Sequence, residues 1–258
     1  MKKDYDKSIE NYTQAIRLEP TAVRFALRAG VWRNQQEHSK ALADVAESIK
    51  RDLHESLAYS VAGDIWSARK EFDKALAEYT KVIEQDPKSA DAYVDRGDAF
   101  LAMQEFDRAV KDYSRAVELA PGRAGFLIDR GRAYRRSGRY RDALADYACA
   151  LKKDSKSARA LSCQAWLLAT CEKDGFRDGK RAVESATQAC VLDAWRDWQG
   201  LEILAAAYAE QGNFMEAVEW QQKAIELAPL EEVEQLRSRL SLFRERKPYR
   251  DHVERRPN

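Results

Sequence analysis

Apolar residues along this chain recur three and four positions apart, in blocks separated by short polar breaks. In the stretch DAYVDRGDAFLAMQEFDRAVKDYSRAVELAP, residues 91–121, one block precedes a break at Gln104–Glu105 and a second follows it. That pattern predicts two short amphipathic helices, each with one apolar face to bury. Asp73 and Asp107, like Ser39 and Asp6, stand where a second helix begins, and are expected to accept hydrogen bonds from its free N–H groups. Pro87, Pro121 and Pro229 follow the second helix, where a residue without an N–H stops it continuing.

The pair of helices repeats. Gly63, Gly97 and Gly131 are 34 residues apart, and so are Ala41, Ala75, Ala109 and Ala143. Tyr79, Tyr113 and Tyr147 keep the same step, as do Pro87 and Pro121. Trp66, Phe100 and Tyr134 follow each glycine by three positions, and Phe72, Phe106 and Tyr140 by nine. Small residues suit the places where paired helices come closest, and the aromatic columns fill the wider gaps. One pair cannot bury these faces alone, so neighbouring pairs must stack into a solenoid.

These columns resemble the tetratricopeptide repeat, a 34-residue unit with aromatic, Gly, Tyr, Ala and Pro at fixed places. The similarly long pentatricopeptide repeat, which reads RNA, lacks them and is set aside. The resemblance implies an all-α, right-handed superhelical solenoid of antiparallel helix pairs. Carried along the chain, it gives one run over 1–246: a half repeat at 1–21, repeats at 22–55, 56–89, 90–123, 124–157, 158–197 and 198–231, and a capping helix at 232–246. The second unit is degenerate, with Ala29 in the Gly column and Leu53 in the Pro column. From Ala143 to Ala182 the step is 39 residues, which puts five extra residues into a turn around CEKDGFRDGKR. The half repeat leaves Ser8 and Tyr12 without their usual cover, as a domain boundary or a self-association surface would. Residues 247–258 are polar and basic, and are expected to form a flexible tail.

Composition agrees with helices: 34% of residues are charged, while 11 Gly and 6 Pro leave too few turn formers for a β-sandwich. No apolar run is long enough to cross a bilayer, and MKKDYDKSIENYTQ has no apolar core of a secretory signal, so the expected location is the cytoplasm. The last third, with its WLLATC and KPYR segments, resembles the end of many bacterial proteins of this family that have no defined role. The formal net charge of +1 hides blocks: −4 over 84–118, +7 over 123–159, −7 over 201–235 and +5 from 237 onward. Such blocks steer partners.

Candidate chemistry is sparse. His38, His54 and His252 fall in a turn, a unit junction and the tail, and no HExxH, GxSxG or calcium-loop pattern occurs. Gly179–Lys180 lacks a strand-to-helix context for phosphate. Cys149, Cys163, Cys171 and Cys190 form no CxxC pair. Cys149 and Cys163 belong to helices that should pack together; they read as small hydrophobes, with a redox pair as the lesser alternative. We therefore assign no catalytic residue, no metal and no cofactor, and read a non-catalytic protein-interaction scaffold.

In the family, positions 2, 5, 9 and 12 of the first helices face a concave groove. On this chain they include Asp64, Asp98, Arg132, Arg135, Arg159, Trp166 and Glu202. Arg136 lies one helical turn beyond Arg132. Guanidinium groups bind carboxylates bidentately, so Arg132, Arg135, Arg136 and Arg159 point to an acidic peptide, with Trp166 as an apolar anchor. The Lys-to-Asn clamp of members that hold chaperone tails would fall on Ala26 and Gly30, Ser60 and Asp64, or Val94 and Asp98, and is absent. Nucleic acid at the basic 123–159 block and self-association are the alternatives.

Overall fold

A computed structural model describes residues 2–252. The chain divides into two compact units, residues 1–121 and 122–258, with the boundary at Pro121–Gly122. The first holds α1 (Lys2–Leu18), α2 (Ala22–Asn34), α3 (His38–Arg51), α4 (Ser56–Ala68), α5 (Phe72–Gln85), α6 (Ala90–Ala102) and α7 (Phe106–Leu119). The second holds α8 (Ala124–Arg136), α9 (Tyr140–Lys153), α10 (Ala158–Thr170), α11 (Gly179–Leu192), α12 (Trp198–Glu210), α13 (Phe214–Leu227) and α14 (Val233–Arg244). In each unit a helix packs on its successor as a hairpin, and successive hairpins stack, so each unit is an all-α solenoid.

The repeated columns have physical causes that differ in kind. A Cβ added at Gly63, Gly97 or Gly131 would lie 2.5, 2.9 or 2.5 Å from the ring of Tyr79, Tyr113 or Tyr147, so each glycine is the seat of its own tyrosine. Ala41, Ala75, Ala109, Ala143, Ala182 and Ala217 are wholly buried. Across the hairpins run bidentate ion pairs, Arg28 to Asp44, Arg96 to Asp112 and Arg130 to Asp146, with Nε–Oδ2 distances of 2.7, 2.7 and 2.8 Å. Each carboxylate is buried, and its hydrogen bonds to the arginine raise the arginine's pKa further. Both halves of these pairs keep the repeat register, two 34-residue steps from the first pair to the second and one from the second to the third, with Ala62 and Glu78 in the unit that is skipped.

The turns inside the hairpins repeat as well. Gln36, Lys70 and Gln104 have φ of 61°, 60° and 61°, and Gly138 and Gly212 occupy the same place at 76° and 88°. This left-handed residue ends the first helix. The expected caps are corrected: Glu37, Glu71 and Glu105 take the N-cap positions of α3, α5 and α7, with no side-chain bond to the helix. Asp73 and Asp107 lie in the first turn, where they face the positive end of the helix dipole. Side-chain capping belongs instead to Glu55, Ser89, Ser157 and Asp197 on first helices, and to Asp178 on α11.

Between α10 and α11 lie eight residues, 171–178, where the regular hairpins use three. They form a tight 3-10 turn at Asp174–Phe176, whose Phe176 ring is 5.5 Å from that of Tyr140. Arg177 ties the turn down, donating to the Cys171 carbonyl at 2.8 Å and to Glu210 at 2.9 Å. The expectation of a frayed tail from 247 fails for residues 247–252. The Asp251 amide donates to the Thr170 carbonyl at 2.8 Å, and Arg250 pairs with Glu210 at 2.7 Å. These residues carry specific partners for each charge, which their polar composition alone concealed. The expected tail at 253–258 lies outside the described residues.

Candidate functional site

The first helices of the second unit, α8, α10 and α12, line an open groove of about 870 Å³ with α14 at its far side. Arg132 and Arg135 come from α8, Arg159, Ser162, Cys163 and Trp166 from α10, and Trp198 and Glu202 from α12. Asp193, Asp197 and Glu232 also line it, and Arg239 reaches in from α14. The groove thus carries both signs of charge: arginines from α8, α10 and α14, and carboxylates at and around the start of α12 and at Glu232.

Most of these charges already have partners inside the chain. Arg159 pairs with Asp129, and Arg132 approaches the same carboxylate at 3.6 Å. Asp129 is 7% exposed, so it orients both guanidinium groups from beneath, and Arg132 and Arg159 keep roughly half of their side-chain surface open. Glu202 is buried against Arg239. Asp197 accepts from the Gln199 and Gly200 amides at 3.1 Å each and caps α12. Arg136, one turn beyond Arg132, does not line the groove but has contacts of its own.

Trp166 and Arg135 meet a ligand from their own chain. The indole Nε1 of Trp166 donates to Asp251 at 3.1 Å, and Arg135 forms an ion pair with the same carboxylate. The Tyr249 ring lies 5.8 Å from that of Trp166. The Arg239 guanidinium stands 4.5 Å from the Tyr249 centroid and 5.3 Å from that of Trp166. Tyr249, Trp166 and Arg239 therefore form a cluster of three in mutual contact, in which the ring of Tyr249 has both an aromatic and a cationic neighbour. Ala206 and Ala209 of α12 are buried, in a cluster with Phe243 against which Tyr249 packs.

Tyr249, Arg250, Asp251, Arg239 and Trp198 were not singled out from sequence. The KPYR segment carried the only signal, as a resemblance without a role. Cys163 borders the groove, and burial pushes its thiol pKa up; Cys149 on α9 is exposed, and neither is disulfide-bonded.

In the first unit, Asp64 and Asp98 hold tyrosines. The Tyr79 hydroxyl donates to Asp64 at 2.9 Å and that of Tyr113 to Asp98 at 2.6 Å. Asp64 also pairs with Arg33 of α2. At the equivalent third position the residue is Arg132, and it lies with Arg135 near the buried Tyr147. Burial and the nearby Asp64, Asp98 and Asp91 push Asp95 up to about 7, with Arg33 opposing. Among the described residues, no group of His, Cys, Asp or Glu is arranged to hold a metal ion, and no helix is long and apolar enough to cross a membrane.

Tetratricopeptide repeat models match residues 66–124 and 128–170 and, with a second model of the same description, residues 2–21 and 200–229. Among curated proteins, none matches the chain. The solved structure of MamA is 23% identical over 61% of this chain and 93% of its own, with a TM-score of 0.54. YrrB, described as a TPR protein with an unusual peptide-binding site, is 18% identical over 89% of this chain and 98% of its own, at TM-score 0.52. Yeast Tom70 is 20% identical at TM-score 0.67; 92% of this chain matches 49% of that one. At these identities the likeness is one of fold.

Proposed function

Because the chain belongs to the tetratricopeptide repeat family, we propose that it is a protein-interaction scaffold whose second unit holds an extended partner segment in the α8–α10–α12 groove. The observation that carries this reading is the groove itself: about 870 Å³, bordered by Trp166 and Trp198 and lined by four arginines and four carboxylates. Aromatic and arginine side chains in a concave surface are the usual anchors of an interface. Fixed charges of both signs select the register of a charged segment.

Arg132 and Arg159 take acidic side chains of the partner, since both line the groove and keep roughly half of their side-chain surface exposed while Asp129 orients their heads. Nucleic acid is the poorer occupant. Arg130, Arg139, Arg135 and Arg159 of the basic block are each matched by an acid of this chain, Asp146, Asp142, Asp251 and Asp129. The groove also presents carboxylates that repel phosphate. Selection of peptides from a displayed random library on the full chain tests the reading. Enrichment of acidic segments is expected, with loss of binding of at least tenfold in the Arg132→Gln/Arg159→Gln variant. Selected peptides indifferent to that variant would refute it.

A further inference from the structure

The segment at 247–252 meets the second unit in the way a bound peptide would. It is extended, and it makes one β-type bridge, Cys171 to Asp251. Its side chains meet residues of the second unit one by one, two of the three at the groove. Tyr249 packs beside both Trp166 and Arg239, Asp251 takes both Arg135 and the Trp166 indole, and Arg250 reaches Glu210 outside the groove lining. None of the three is fully buried, so the segment lies on the surface of the unit and not within its core. The longer turn at 171–178 prepares this site: Arg177 holds Glu210 from the other side, leaving one carboxylate oxygen for Arg250. The Glu172 carboxylate, which accepts from Tyr140 at 3.1 Å, lies 3.7 Å from His252.

We propose that Arg135, Trp166, Arg239 and Glu210 form a recognition site for an aromatic–basic–acidic tripeptide, and that Tyr249–Arg250–Asp251 is its ligand in cis, to be displaced by a partner protein carrying the same order. This rests on the groove reading above and names its partner chemistry. Each site residue has a ligand group of matching type: a cation for the carboxylate, an indole donor for the acid, and a ring-and-guanidinium slot for the aromatic residue. Recognition by side chain is what lets a segment from another protein replace it. A tethered ligand acts at an effective concentration on the order of millimolar, so only a partner that binds better, or is present at high local concentration, takes its place.

The test uses the full chain and a labelled peptide of sequence ERKPYRDH, corresponding to residues 245–252. In the Tyr249→Ala/Asp251→Ala variant the cis ligand is lost, and the peptide should bind at least about tenfold more tightly than to the unaltered chain, by relief of the tethered competitor. Adding Arg135→Glu to that variant should abolish the gain, and a peptide with Ala and Asn in place of its Tyr and Asp should not bind. A second measurement needs no variant. The Asp251 amide, bonded to the Thr170 carbonyl, should exchange its hydrogen several-fold faster when millimolar peptide is added to the unaltered chain. Equal, negligible peptide binding to both proteins, with Asp251 exchange unmoved, would mean a fixed structural strap and overturn the proposal. Library peptides that still depend on Arg132 and Arg159 would then leave the groove reading standing. Exchange of the peptide with no library selection would instead sink the groove reading alone.

Discussion

Replacing Asp95 with asparagine removes a carboxyl group that the first unit holds in an unfavourable place. Asp95 is largely buried on α6, with Asp64 of α4 and Asp98 and Asp91 of its own helix nearby, and only Arg33 of α2 opposing them. Desolvation and these negative neighbours raise its pKa to about 7. An aspartate in the unfolded chain titrates near ~3.9, so the folded protein binds the proton more tightly. Stability linked to this group is therefore fully present below about pH 4 and is lost as pH rises toward 7. Three pKa units correspond to about 4 kcal/mol at full coupling. Asp95 keeps some contact with water and the aspartates are screened, so we expect roughly 1–2 kcal/mol. Asparagine resembles the neutral acid in shape and carries no charge at any pH. Urea unfolding should give near-equal stability for the two proteins at pH 3, and a variant more stable by about 1–2 kcal/mol at pH 8. A stability difference that is the same at both pH values, or an Asp95 carboxyl carbon titrating near 4 by NMR, would refute the reasoning.

Three further substitutions probe the repeat framework. Gly131→Ala places a Cβ 2.5 Å from the Tyr147 ring, and should cost about 1–3 kcal/mol in thermal unfolding through overpacking; an added Tyr147→Leu should recover part of it. Asp112→Ala strands Arg96, whose side chain is 20% exposed, and should cost about 3 kcal/mol, whereas Arg96→Met with Asp112→Leu should be close to neutral. Gly138→Ala meets no atom within 4 Å but keeps φ at 76°, so a loss of about 1 kcal/mol should be purely conformational, and Lys70→Gly should go the other way.

Spacing made the framework legible because each repeat solves the same packing problem with the same residues. The Gly63, Gly97 and Gly131 column could be read as a close approach, and the wholly buried alanines as a helix interface. The Arg28, Arg96 and Arg130 pairs keep the same register, with one unit skipped, but charged residues at helical spacing do not by themselves announce a buried pair. Their aspartates are buried, and the signal was the matching step in both columns. The groove was legible as far as the family register reaches. Arg132, Arg135, Arg159, Trp166 and Glu202 all border one cavity. The segment that engages Arg135 and Trp166 beside it was not legible. Asp251 lies 116 residues from Arg135, in a segment with no periodicity, and only tertiary structure joins them. The same holds for Asp64 and Asp98, whose spacing gives a groove position but not the tyrosine hydroxyls they accept.

The six tryptophans provide the most direct test of the central claim. Trp32 and Trp66 lie in the first unit, Trp166 and Trp198 border the groove, and Trp195 and Trp220 stack on each other with ring centroids 5.1 Å apart, outside it. Indole N–H resonances of the full chain, followed during titration with a library-selected acidic peptide, report each position separately. We predict shifts at Trp166 and Trp198, the Trp166 signal moving as its bond to Asp251 is exchanged, with Trp32 and Trp66 unmoved. Shifts confined to Trp32 and Trp66, or to the Trp195–Trp220 stack, would contradict the account.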